Sequence, residues 1–345
     1  MITIPLCSIE NAIDEILIED IFDDEGNILM GKNAIINEYA LKILSKFKIE
    51  KVPIYPAKEE IHLLKGLSLS FGHKENILAM QKIVTRLAAG KGVDPNRLED
   101  VSKTLSTEIN KNNQMIGQTE RIKDTDEYTY NHSINVAIYS VYIGNLIGLD
   151  KDKIKELCQA ALLHDIGKAK VPKDILNKKG RLTEKEFNVV KKHTVDGYIL
   201  SKKIPFLKEE VREAILGHHE REDGSGYPSG LKGRDINLYA KILAIADVYD
   251  ALTSERVYKE KSTPFDAIEE FYNLGFNKFS RPLLTIFLKN ISQLYVNSKV
   301  KLNDGRVGKI QFIHPKKLTK PIINVDGQHI NLSKYTSLKI KEIIG

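Results

Sequence analysis

The chain has 345 residues, 42% of them hydrophobic and 28% charged, with a formal net charge of +6. That length exceeds the usual single domain and the composition is that of an ordinary globular protein, so two or three domains are expected. No apolar run approaches the roughly eighteen residues of a membrane span, and the N-terminus lacks a basic stretch followed by an apolar core, so the sequence reads as cytoplasmic with no membrane segment.

Cys7 and Cys158 lie far apart and make no disulfide framework. The lysines are scattered, and the local group Lys299, Lys301, Lys309, Lys316, Lys317 and Lys320 lacks the interleaved aromatics of a stacking platform. DNA and RNA are therefore not expected partners, although a modest positive field favours a phosphate-bearing substrate.

Residues 1–58 read as a small β-rich unit: short strands at 2–6, 16–18 and 28–29, a turn at Asp24-Glu25-Gly26-Asn27, an amphipathic helix over 37–46 and a strand at 52–55. Residues 59–118 read as a helical connector, with helices over 77–87 and 97–110 separated by the Gly- and Pro-containing stretch 90–95. The spacing of Ile77, Met80, Ile83, Val84 and Leu87 suits a coiled-coil-like homodimer face as well as it suits packing on a neighbouring domain. His62 and His73 read as surface residues. Over 119–293 the pattern predicts helices at 126–147, 150–164, 183–193 with a Thr183–Glu186 capping box, 208–217, 238–253 and 264–274. Residues 294–345 switch to alternation with turns at Asn303-Asp304-Gly305 and Asp326-Gly327, which predicts two hairpins over 299–313 and 322–332. His314 and His329 there read as structural or exposed. The expected fold is mainly α, a central all-helical domain flanked by small β-rich units.

At the end of the apolar helix stand His164 and Asp165, followed by Ile166-Gly167-Lys168. Burying an imidazole beside a carboxylate is costly unless hydrogen bonds or a cation satisfy them. A lone His-Asp pair is more often a satisfied core pair. Here it has company, because five of the nine histidines (His132, His164, His193, His218, His219) fall between 132 and 219, and Asp247 sits in the apolar run 242–247. Five imidazoles and two carboxylates are enough for two metal ions with positions left open for water and substrate. His218 and His219 would be about 100° apart on a helix, so they share a site only where that helix ends.

These stretches resemble the HD-GYP phosphodiesterases, a branch of the His-Asp metal-dependent hydrolases. His164-Asp165-Ile166-Gly167-Lys168 is similar to the HDxGK motif, and His218-His219-Glu220-Arg221-Glu222-Asp223-Gly224-Ser225-Gly226-Tyr227-Pro228 is similar to HHExxDGxGYP. The segments 128–137 and 247–256 extend the match, which covers roughly 119–290.

The resemblance implies an HD-type metallohydrolase domain over 119–293, two divalent ions (iron or manganese), and cyclic di-GMP as the substrate. Linear pGpG, or GMP after a second cleavage, would be the product. Carried over residue by residue, Asp165 bridges the ions. His132, His164 and Asp247 complete one site, and His193, His218 and His219 the other. Lys168 acts beside the scissile phosphate, Gly226 and Tyr227 contact substrate with Tyr227 able to stack on guanine, and Arg256 and Lys259 meet the phosphates. Without the resemblance, Lys168, Arg256 and Lys259 read as surface charges and Tyr227 as a structural loop aromatic. Small units like 1–58 and 294–345 flank some members, which suggests a protein partner or homodimer contact through the first. One departure stands out: members with a third ion carry a Glu four residues before the first histidine, where this chain has Tyr128, and a phenol is a poor ligand for such ions. Two other readings compete, a hydrolase of another cyclic dinucleotide or nucleotide and a non-catalytic cyclic di-GMP receptor.

Overall fold

The computed structural model describes residues 6–54 (except 10–11, 13–16, 18, 24–25, 32–35 and 37), 82–83, 86–87, 95–111 and 128–344 (except 179, 255–262 and 336). The chain divides into two compact units, Met1–Lys82 and Ile83–Gly345.

In the first unit, β1 (Leu6–Ser8), β2 (Ile21–Phe22), β3 (Ile28–Met30), α1 (Glu38–Lys46) and β4 (Lys51–Pro53) follow in order. β1 pairs antiparallel with β4, and β2 with β3. Asp23 closes the second pair by accepting from the backbone and side-chain amides of Asn27 at 2.8 and 3.1 Å. Leu17, Ile36, Leu44 and Val52 are fully buried at the centre of this unit. Of the expected strands, most of 2–6 and two of the three positions in 16–18 lie outside the described residues, but Leu17 itself makes an antiparallel bridge to Ile54.

The second unit is mainly α. Its helices are α2 (Pro95–Lys111), α3 (Tyr128–Leu146), α4 (Lys151–Leu163), α5 (Lys173–Leu176), α6 (Glu184–Lys191), α7 (His193–Ser201), α8 (Glu209–Gly217), α9 (Leu238–Thr253), α10 (Pro264–Leu274) and α11 (Arg281–Gln293), with a 3-10 turn at Ile166–Lys170. α3 is buried without interruption from Asn131 to Gly144. A helix apolar on every side belongs inside a bundle, and α2, α4, α9 and α11 all pack on it. Tyr139 of α3, Tyr249 of α9 and Phe287 of α11 meet edge-on, with ring centroids 4.9, 5.0 and 6.4 Å apart. Asp150 caps α4 by accepting from Lys153 N at 2.9 Å, while Thr183 with Glu186 and Thr263 with Asp266 form capping boxes at α6 and α10.

Besides the short α5, three features differ from the sequence expectation. The helix expected over 183–193 forms as α6, and an unexpected further helix, α7, follows across a break at Lys192, whose amide donates to Val189 and closes α6 while its carbonyl receives Asp196 N–H and opens α7. No proline or glycine marks that break. α11 was not expected, although Leu283, Leu284, Phe287, Leu288 and Ile291 are buried at helical spacing. The C-terminal hairpins form as β5 (Lys299–Leu302) with β6 (Val307–Phe312) and β7 (Ile322–Val325) with β8 (Gln328–Asn331), and an additional β9 (Ile340–Ile343) joins β5. The resulting antiparallel order is β8-β7-β6-β5-β9, with Val300, Leu302, Ile310 and Ile323 fully buried beneath it.

Cys158 is a buried free thiol that burial pushes up to about 12. His314 and His329 are exposed. Ile83 and Leu87 are buried, while Ile77, Met80 and Val84, together with His62 and His73, lie outside the described residues. Among the described residues, no helix is long and apolar enough to cross a membrane.

Phe287 holds α11 to α3 and α9 through the aromatic trio. Phe287→Ala should lower stability by about 3–5 kcal/mol, read as a fall in the urea midpoint; an unchanged midpoint would show that the trio contributes nothing.

Candidate metal centre

α4 stops at Leu163, and the chain leaves it through His164 into the 3-10 turn, with Asp165 at φ −101° and ψ 7° between them. His164 and Asp165 are buried together at 0% and 4% exposure. Gly167 makes the next approach feasible, because a Cβ there would overlap the His193 carbonyl oxygen. With no side chain in the way α7 lies against the turn, and His193 Nε2 comes to 3.4 Å from Asp165 Oδ1.

The other oxygen of Asp165 faces a different set. His132 Nε2, from the buried face of α3, is 3.5 Å from Asp165 Oδ2 and 3.2 Å from Asp247 Oδ1. His164 Nε2 is 3.3 Å from the same Oδ2. His218 Nε2 lies 4.0 Å from Oδ1. α8 ends at Gly217, so His218 and His219 leave the helix together, and their rings sit 4.2 Å apart. Two triads result, His132–His164–Asp247 and His193–His218–His219, each with its ligand atoms within 4.8 Å of one another.

Hydrogen bonding fixes which nitrogen faces the centre. His164 Nδ1 lies 2.7 Å from the Ala161 carbonyl, His193 Nδ1 2.7 Å from Val190 O, and His218 Nδ1 2.8 Å from Ile215 O. A carbonyl only accepts, so each Nδ1 carries the hydrogen and, in a neutral ring, each Nε2 presents a lone pair. Burial is the largest influence on His193 and His218 and holds both below the ordinary imidazole value, His218 far below. It likewise brings His219 down to about 3.

The Nε2 atoms of His193 and His218 are then two lone pairs only 3.3 Å apart. Among the described residues, the buried His164 Nε2 and Asp165 Oδ1 have no hydrogen-bond partner. Orphaned lone pairs aimed at one point, beside a carboxylate turned towards both sets, fit divalent cations and fit little else.

Charge reinforces this. Burial opposes ionisation of Asp165, but Lys168 and His164 overcome it and hold the carboxyl well below the usual range. Burial opposes Asp247 too, and the bond to His132 overcomes it. At His132 burial works against the charged ring, while Asp247 and Asp250 outweigh it and push the imidazole up to about 10.

Lys168 projects from the 3-10 turn and donates to Asp165 Oδ2 at 2.5 Å. The Tyr227 ring lies 4.6 Å from that of His219, tilted by 30°. Gly226 serves the loop's own backbone: a Cβ there would overlap Arg221 N, and the next residue, Tyr227, donates its amide to His219 O at 3.2 Å. Arg256 and Lys259 lie outside the described residues, as does the side chain of Tyr128, whose backbone begins α3.

Sequence reasoning assigned no role to three supporting residues. Asp250, 1% exposed, receives His132 Nδ1 at 2.7 Å, Asn135 Nδ2 at 2.9 Å and Ser254 Oγ at 2.8 Å. Its signal was available: it lies one turn after Asp247 on an otherwise apolar helix, and Asn135 lies one turn after His132. Glu220, 2% exposed, accepts Ser229 N at 2.7 Å and Leu231 N at 3.0 Å, folding the loop back beneath the centre.

A helical domain whose interior converges imidazoles on one shared carboxylate is the architecture of His-Asp metallohydrolases. Residues 103–274 match the HD domain family model, and the chain belongs to that family. Cyclic di-GMP phosphodiesterase PA4108 of Pseudomonas aeruginosa is 34% identical over 236 residues, covering 68% of this chain and 57% of that protein. The 3′3′-cGAMP-specific phosphodiesterase 1 of Vibrio cholerae is 34% identical over 171 residues, 49% of this chain and 39% of that one. The chain thus spans about half the length of the curated relatives it matches. In fold, it resembles Bd1817, an HDG"Y"P protein from Bdellovibrio bacteriovorus, with a TM-score of 0.56 at 17% identity over 82% of this chain and 97% of that one.

Asp250 orients His132 without facing the centre itself. Asp250→Ala should weaken Mn(II) binding about 10- to 100-fold by calorimetry, while Asp304→Ala in the C-terminal sheet should leave it unchanged. Equal affinities in both variants would confine Asp250 to holding Asn135 and Ser254.

Proposed function

We propose that the chain is a cytoplasmic, metal-dependent phosphodiesterase that opens cyclic di-GMP to linear pGpG, with GMP as the product of a second cleavage. The observation that carries this reading is the placement of Asp165, one oxygen turned to His132 and His164 and the other to His193 and His218. Two divalent ions, iron or manganese, held by those residues with Asp247 and His219, would lower the pKa of a water and polarise the non-bridging oxygens of the phosphodiester.

The chain's own groups do the rest. The Nδ1–H bonds to three carbonyls keep the histidines aimed, so the geometry is in place before substrate arrives. Lys168 holds a positive charge at Asp165 Oδ2 while remaining 29% exposed, so it faces both the centre and solvent. Tyr227 packs its ring against that of His219. Arg256 and Lys259 take the outer phosphate oxygens. In this reading 119–293 is catalytic, 59–118 a connector, and 1–58 and 294–345 accessory, with a protein partner or a second copy contacted through the first.

The relative named as a cyclic di-GMP phosphodiesterase supports the substrate. The relative named for 3′3′-cGAMP favours a second reading, in which another cyclic dinucleotide is cleaved by the same centre. Anaerobic purification with elemental analysis, followed by hydrolysis of a panel of cyclic dinucleotides, tests both.

Two ions per chain are expected, because Tyr128 stands where a third would need a carboxylate. Asp165→Ala should lower that content and reduce hydrolysis to background; full activity in this variant would sink the two-ion reading.

Arg256→Ala with Lys259→Ala should weaken cyclic di-GMP binding by about tenfold or more at unchanged metal content, since charge-assisted hydrogen bonds to phosphate would be lost. Undiminished affinity would make the pair surface charge.

A further inference from the structure

Both triads and Lys168 address a phosphodiester, and none of them reads a base. Next to them lies α6, a helix with no buried residue. It is held by its capping box and by Lys178 Nζ, 2.7 Å from each Glu186 carboxylate oxygen. Phe187 on this helix is 44% exposed. Its ring stands perpendicular to Tyr227, with centroids 6.3 Å apart and an interplanar angle of 82°.

Lys191 follows four residues later and so shares the face of Phe187. Its Nζ is 4.8 Å from the Phe187 centroid and 5.8 Å from that of Tyr227. Tyr227 itself lies 4.6 Å from the His219 ring and 6.4 Å from that of His193. The three side chains therefore form a corner continuous with the metal centre.

Packing does not account for Phe187, which supports no core and leaves nearly half its surface in water. Two aromatics at right angles offer a base one face to stack on and a wall to stop it. Lysine adds three donors and no acceptor. On its N7 edge guanine presents two acceptors, N7 and O6, whereas adenine presents N7 beside the N6 amino donor. An ammonium there matches guanine and clashes electrostatically with adenine.

We propose that Phe187, Tyr227 and Lys191 form a base-reading corner that selects one guanine of the substrate. The proposal rests on the phosphodiesterase reading. Because a single corner needs a single guanine, cyclic di-GMP and 3′3′-cGAMP should be cleaved with kcat/KM values within a few-fold of each other, and cyclic di-AMP poorly.

The test uses the metal-loaded full chain with these three dinucleotides and with bis(p-nitrophenyl) phosphate, an ester that carries no base. Lys191→Met should lower kcat/KM about tenfold for the two guanine-containing substrates, leaving cyclic di-AMP and the nitrophenyl ester unchanged. Phe187→Leu should raise KM for every dinucleotide without affecting the ester, and Phe187→Tyr should restore it. If Lys191→Met changes all four substrates equally or none, or if wild type prefers cyclic di-AMP, the corner is overturned while the phosphodiesterase reading stands. If wild type cleaves the ester but no cyclic dinucleotide, that reading fails and takes the corner with it.

Discussion

One contact recurs through the centre: a histidine Nδ1–H donating to the backbone carbonyl three residues earlier, at His164, His193 and His218. In each case the carbonyl belongs to the last turn of a helix, where acceptors have no intrahelical partner. The ring satisfies an acceptor the helix leaves open, and the same bond sets the tautomer and aims Nε2 inward. Helix ending and ligand positioning are one event here. α4, α6 and α8 all terminate at the centre, so their partially negative ends also converge on the place where positive charge belongs.

The electrostatics follow from that convergence. Asp165, Asp247 and Asp250 bring three carboxylates into a nearly closed space, with 3%, 15% and 1% side-chain exposure. Burying such groups is expensive unless each finds compensation. Asp250 finds His132, Asn135 and Ser254, while Asp165 and Asp247 share His132, and Lys168 serves Asp165 alone. The imidazoles of His193, His218 and His219 are held neutral by the same burial and offset none of this charge. Cations are the compensation the site is shaped for, and that follows from the donor set before any relative is considered.

This also explains what could be read from the sequence. His132, His164, Asp165, His193, His218, His219 and Asp247 stood out because few residue types bind metals and because apolar helical runs leave a buried polar residue conspicuous. The structure brings all seven together. Asp250 was less visible, since one carboxylate a turn beyond another passes for a second surface charge until His132 is seen to need it. α7 was not visible as a second helix, because no side chain caps its start at Lys192. α11 carried its periodic pattern openly, whereas β9 pairs with β5 across a long interval, and such register is not written in local sequence.

The residues between the motifs bear on substrate choice. Relatives within one family are named for different cyclic dinucleotides. Those substrates share the phosphodiester that the seven candidate ligands would meet, so the ligands themselves cannot tell them apart. Discrimination has to come from side chains that touch the substrate and hold no ion. In the proposed corner α6 meets that description: no residue of it is buried, and it reaches the centre through the chain from Lys192 to His193 and through Phe187 and Lys191 against Tyr227. A helix fixed at one end by a ligand and otherwise free of core packing is where base preference can change without disturbing the metal centre. That freedom, more than the motifs, is what would let one fold serve several second messengers.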